Sequence, residues 1–163
     1  MTNFFYSARI AALAVVALFS LTGAALAHEY TSGAITIYHP WSPATAPGAN
    51  VGAGYMKITN HGKTAVRLMS CTTEAAGKVE LHSMTVTGGV MRMRPIAGGL
   101  VIPPGGEVKL SPSGGHLMLI GLKKPLVEEE LVSMTLNFDK GVHMDIELYV
   151  ESMGAAASDH GHH

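Results

Sequence analysis

The feature that most constrains this chain is a series of nine short, β-rich or alternating runs broken by Gly and Pro. They cover residues 34–38, 54–59, 65–71, 78–86, 90–94, 107–110, 116–122, 132–138 and 144–150. Between them stand strong turn sequences: Asn60-His61-Gly62, Thr87-Gly88-Gly89, Pro103-Pro104-Gly105-Gly106 and the stretch from Ser111 to Gly115. Short strands at this spacing predict an antiparallel β-sandwich or barrel. No helical pattern of 10–15 residues alternates with them, which argues against a βαβ sheet. The chain has 163 residues and is 47% apolar, enough for one domain with a real core and too apolar for intrinsic disorder. Its formal charge of −1 supplies no broad basic field for nucleic acid or acidic membranes. The single cysteine, Cys71, rules out an intramolecular disulfide framework and reads as a buried apolar residue.

Residues 1–27 read as a secretory signal. Arg9 supplies a positive start, Ile10 to Leu21 an apolar stretch, and Ala25-Leu26-Ala27 a small-x-small cleavage site. Cleavage there makes His28 the mature N-terminus and removes one cation from a chain of 11 Lys/Arg and 12 Asp/Glu, leaving a net charge of −2. The expected compartment is oxidising, a bacterial periplasm. Beyond position 30 no run of eighteen apolar residues occurs, so no transmembrane helix is expected there. Residues 28–153 read as one domain. Residues 154–163, small and polar and closing on Asp159-His160-Gly161-His162-His163, read as a flexible His-rich tail.

The chemistry lies in paired His and Met. Ten Met and nine His stand beside the one Cys. Side chains at i and i+2 of a strand share a face. His116 and Met118 therefore lie together, with Leu117 and Leu119 on the opposite, core-facing side. His82 and Met84 share a face opposite Val79 and Leu81, and Met91 and Met93 share one opposite Arg92 and Arg94. A hairpin at Thr87-Gly88-Gly89 would bring His82 near Met91 or Met93. Thioether is soft and does not titrate, and imidazole is borderline, so a Met/His site selects Cu(I) over Mg, Ca or Mn. Neutral ligands suit a carrier that must release its ion, and the lack of thiolate avoids oxidation in this compartment.

His82, Met93, His116 and Met118 fall in a spacing that closely resembles the His-x10-Met-x21-His-x-Met motif of the periplasmic PCu(A)C copper chaperone family. The neighbouring segments are similar too: His39-Pro40-Trp41-Ser42, Val79-Glu80-Leu81-His82, Met91-Arg92-Met93-Arg94-Pro95 and His116-Leu117-Met118-Leu119-Ile120-Gly121-Leu122. The resemblance covers roughly residues 34–150, with one extra residue in the central gap, between Ile96 and Gly115. A loop insertion is easily tolerated. The resemblance implies a cupredoxin-like Greek-key β-sandwich with an exposed Cu(I) site near one edge, ligated by His82, Met93, His116 and Met118. It also implies delivery of copper to the dinuclear copper centre of cytochrome c oxidase, with that oxidase subunit or a Sco-type thioredoxin-like protein as partner.

Other residues stay open. Met84 and Met91 face the right way to be auxiliary ligands or a transfer path, or simply a hydrophobic rim. His28 at a mature N-terminus, and the tail residues His160, His162 and His163, offer nitrogen donors for a second, Cu(II) site. His39 and His61 read as turn or packing residues, while His143 and Met144 point to opposite faces of one strand. Competing functions are a copper storage or resistance protein, a metal-free structural sandwich, and a blue-copper electron carrier. The last needs a Cys-His pair at close spacing, and the first His after Cys71 is His82. No Ser/His/Asp, H-E-x-x-H or paired-carboxylate motif points to an enzyme.

Overall fold

The computed structural model describes residues 28–158. The signal segment 1–27 and the tail histidines His160, His162 and His163 lie outside the described residues. Eleven strands follow in order: β1 Glu29–Ser32, β2 Ile35–Pro43, β3 Val51–Asn60, β4 Val66–Thr72, β5 Ala76–Thr87, β6 Val90–Pro95, β7 Leu100–Ile102, β8 Glu107–Leu110, β9 His116–Leu122, β10 Leu131–Phe138 and β11 His143–Glu151. The described residues end in a single helical turn, α1 Ala155–Ser158.

The strands form two layers that share β3. One layer runs β7-β4-β10-β11-β2-β3, with β1 on β2 and β8 on the second half of β3. The other runs β6-β5-β9-β3 and uses only the first half of β3, where Val51 to Gly54 pair with Ile120 to Leu117. β3 is therefore a corner strand that passes from one layer to the other. The chain crosses between layers again from β4 to β5, from β6 to β7, from β8 to β9 and from β9 to β10, giving an all-β sandwich.

Period-two alternation builds the core. Val132, Met134, Leu136 and Phe138 of β10 and Met144, Ile146, Leu148 and Val150 of β11 point inward. From the smaller layer Leu81, Leu117 and Leu119 meet them. Each fully buried Leu or Ile contributes about 1.5–3 kcal/mol by leaving water. The two-residue turn at Gly88 and Gly89 has positive φ at both positions (59° and 77°), the conformation that matches strand twist in a hairpin, and it closes β5 on β6 as expected.

Two strands were not anticipated, and β2 and β3 are each four residues longer than expected. β1 and β7 are four and three residues long, too short to carry a pattern. β2 runs through His39-Pro40, which reads as a break. A bulge absorbs it: His39 has φ 47°, the register with β3 jumps between Tyr38 and Trp41, and beyond the bulge Trp41–Pro43 pair in parallel with β11. β3 begins at Val51 because Gly52 and Gly54 are sites of close packing. A Cβ on Gly52 would stand 3.1 Å from Leu126 Cδ1, and one on Gly54 would stand 3.3 Å from Leu117 Cβ.

Candidate metal centre

The outer face of the smaller layer gathers the motif residues. His82 of β5 and His116 of β9 are direct register partners, and their ring centroids lie 5.7 Å apart at an interplanar angle of 41°. One row along the same ladder, Glu80 stands opposite Met118, and Met118 stands opposite Ala53 of β3. On the other side of His82, Met84 pairs with Met93 of β6, and Val86 with Met91. Residues directly opposite in an antiparallel pair share a face. His82, Met84, Met91, Met93, His116 and Met118 therefore share one side of the layer, while Leu81, Leu117 and Leu119 fill the core side. The hairpin places Met93 one row from His82 and Met91 one row further, so Met93 is the nearer of the two.

Met93, His116 and Met118 line one open cleft of about 330 Å³. Its walls are Pro43 and Thr45 after the β2 bulge, Tyr55 at the corner of β3, and Pro112 from the turn before β9. Its floor, at Gly52 and Ala53, has almost no side-chain bulk. Tyr55 packs on Trp41 with ring centroids 4.8 Å apart, and both are 8% exposed. His82 does not line this cleft; it stands beside His116 on the neighbouring strand, and both residues are buried. Met93 stands on the outer strand β6, whose six residues are all exposed, so the centre opens at an edge of the fold.

The histidine hydrogen bonds decide which ring nitrogens are left as donors to a metal. His116 Nδ1 lies 3.4 Å from the Gly114 carbonyl, which favours a proton on that nitrogen and leaves Nε2 free as a donor to a metal. Burial lowers the His116 pKa below its ordinary 6.5, with a smaller push from His82, against the opposing effect of the Gly114 carbonyl. Its neutral, ligating form is thereby favoured. His82 Nε2 is held by the Glu80 carboxylate at 2.9 Å, and its Nδ1 is buried without a partner. An unsatisfied buried nitrogen costs free energy unless something binds it, and it lies on the ring that faces His116. Glu80 in turn takes a 2.6 Å bond from Lys78 Nζ; the Lys78 ammonium, then His82, lower its carboxyl pKa. The sequence reading did not single out Glu80, although its signal was present: it lies two residues before His82 and so on the same face.

The donor set expected from the sequence is two imidazoles and two thioethers, and three of its four residues, Met93, His116 and Met118, line the cleft. Among the described residues no group of three His, Cys, Asp or Glu side chains converges on one point, so no carboxylate- or thiolate-rich cage is present there. Cys71 is buried in β4 of the larger layer opposite Leu136, and burial pushes its thiol up to about 12. It has no place in the cleft. His28 stacks on Tyr149 at 6.2 Å and accepts a hydrogen bond at its carbonyl from the His39 backbone N–H. His39 pairs with Glu151 at 2.9 Å, on the bulge, and His143 with Asn137 at 2.8 Å. Met144 is core, and His143 is exposed on the opposite face, as the alternation predicts.

The family described as "Putative lipoprotein LpqE-like" matches residues 35–150, from the first residue of β2 to the last but one of β11. The chain belongs to the LpqE-like family. A curated relative, "Putative lipoprotein Lxx21020" of Leifsonia xyli subsp. xyli, is 31% identical over 146 residues, covering 85% of this chain and 87% of its own. Among solved structures, the copper-bound PCuAC domain from PmoF2 is similar with a TM-score of 0.66 and 27% identity, over 77% of this chain and 98% of that one. The Cu(I) form of DR1885 from Deinococcus radiodurans is similar with a TM-score of 0.56 and 30% identity, over 78% and 83%. This LpqE-like chain thus has the cupredoxin-like β-sandwich fold that the family resemblance implied. Among its described residues no helix is long and apolar enough to cross a membrane.

Proposed function

We propose that this chain is an exported Cu(I) metallochaperone that holds one ion between His82, His116, Met93 and Met118. The observation that carries the reading is the buried cross-strand pair His82–His116, whose His116 lines one cleft together with Met93 and Met118. An ion bound at about 2 Å to one nitrogen of each ring fits between imidazoles whose centroids are 5.7 Å apart. Two neutral imidazoles and two thioethers suit Cu(I) and do not suit hard cations. The printed names of similar structures, copper-bound and Cu(I)-bound, support the same cargo.

In this reading the ion is cargo, and the site's exposed edge is where it leaves. The recipient is the dinuclear copper centre of cytochrome c oxidase or a Sco-type intermediary in the periplasm. The lipoprotein names of its relatives support export. Cys71, the one cysteine in the sequence, is buried in β4 and is no attachment point for a lipid. A second, Cu(II) site formed by His28 with His160, His162 and His163 completes the proposal. His28 is the one of these four within the described residues, and it lies beside Tyr149.

Anaerobic competition with a chromogenic Cu(I) chelator tests the reading. One Cu(I) per chain is expected, with at least tenfold weaker binding in His82→Ala, His116→Ala and Met118→Leu. Binding of wild-type strength in all three would refute it.

A further inference from the structure

The β5–β6 hairpin carries more thioether than a four-ligand site needs. Met84 and Met93 are direct cross-strand partners, and Met91 lies diagonal to Met84 on the same face. Opposed Cβ atoms in such a ladder are about 5 Å apart and diagonal ones about 7–8 Å, so three flexible thioethers can converge on one ion. Met91 and Met93 are 61% and 53% exposed, so neither fills the core. The arginines of the same strand, Arg92 and Arg94, are register partners of Thr85 and Ser83 and so belong to the opposite face. No cation is built into the row of sulfurs. The row starts beside His82 and ends at the solvent-exposed tip of the hairpin.

We propose that Met84, Met91 and Met93 form a second, weaker Cu(I) station through which the ion enters and leaves the main site. The proposal rests on the Cu(I) reading above. Met93 belongs to both stations, so the ion moves by ligand exchange alone. At the main site the two imidazole bonds and the Met118 bond break as bonds to the sulfurs of Met84 and Met91 form. Copper stays Cu(I) throughout, and no electron or proton is transferred to it. All-thioether ligation is weaker than ligation that includes imidazole, which makes this station a place of passage rather than of storage. The exposed row also lets a soft-ligand acceptor reach the ion before it has left the protein.

Two measurements on the mature chain test this. In the first, transfer of Cu(I) from loaded protein to excess bathocuproine disulfonate is followed by stopped flow. Met84→Leu/Met91→Leu should keep the equilibrium affinity of the main site within about a factor of two while transfer slows about tenfold. In the second, His82→Ala/His116→Ala should retain weak Cu(I) binding with sulfur-only X-ray scattering, lost when Met84→Leu/Met91→Leu is added. Wild-type transfer rates in the thioether variant, or no residual Cu(I) in the histidine variant, would overturn the station. Such a failure is distinct from failure of the main site, which is read separately as one Cu(I) with imidazole scattering in the wild type.

Discussion

His82 and His116 stand directly opposite each other on β5 and β9, and the residues beside them, Leu81 and Leu117, are likewise partners on the core face. The ladder that buries the leucines therefore also sets the spacing of the imidazoles. The two nitrogen donors are positioned by a packed sheet, whereas Met93 reaches in from an exposed edge strand. That division fits a carrier, with one rigid half to hold the ion and one accessible half to release it.

The contact from Glu80 to His82 should matter for affinity. The carboxylate holds Nε2 at 2.9 Å and leaves Nδ1 as the ring nitrogen without a hydrogen-bond partner. Outer partners of this kind usually change metal affinity about 10–100-fold. Glu80→Leu should weaken Cu(I) binding by that order, and Glu80→Gln, which keeps an acceptor, by less. Competition titration checks the order of the three proteins. Equal affinities would mean that the His82 ring is held by its packing alone.

The pH dependence follows from His116. Burial holds its folded-state pKa below the ordinary 6.5 of the unfolded chain. The stability supplied by the neutral ring is therefore fully present above about 6.5 and is lost as pH falls through the depressed value. The melting temperature of the copper-free protein should show this acid-side loss, and His116→Gln should lack that part of it. Cu(I) affinity should be level above neutrality and fall as pH drops through the depressed His116 value, where protons compete with the ion for that ring. NMR titration of the His116 ring should give a midpoint below 6.5; a midpoint above it would reverse the sign of both effects.

Much of this was legible in the sequence because alternation survives wherever one face is buried and the other is not. β9 was read with its observed bounds, His116–Leu122, and the pairing of His116 with Met118 followed from period two. Cys71 was read as core, and it is. β1 and β7 were missed because short edge segments owe their form to the strand beside them. The length of β2 was missed because Pro40 looks like a stop until a bulge and a new parallel partner in β11 are known. The walls of the cleft, Pro43, Thr45, Tyr55 and Pro112, come from four separate segments and carry no joint spacing signal. Glu80 was overlooked because a carboxylate two residues from Lys78 reads as a solvated ion pair.

Asn60 separates stability from metal binding. It is fully buried, donates from Nδ2 to the carbonyls of Thr64 (2.8 Å) and Ile102 (3.3 Å), and accepts from the Gly62 N–H (2.9 Å). It thereby closes the turn after β3 and fastens β7. Asn60→Ala leaves these backbone groups without their partner and should cost about 1–3 kcal/mol. Denaturant unfolding should show that loss with Cu(I) affinity unchanged, since no atom of Asn60 lines the metal cleft. A large fall in affinity would show instead that the centre depends on the far end of the larger layer.

X-ray absorption of the Cu(I)-loaded mature protein bears most directly on the central claim. The account predicts a mixed shell of imidazole nitrogen and thioether sulfur, with the sulfur component reduced in Met93→Leu and Met118→Leu and the imidazole component reduced in His82→Ala and His116→Ala. A shell without imidazole, or sulfur scattering undiminished from wild type when both Met93 and Met118 are lost, would contradict it.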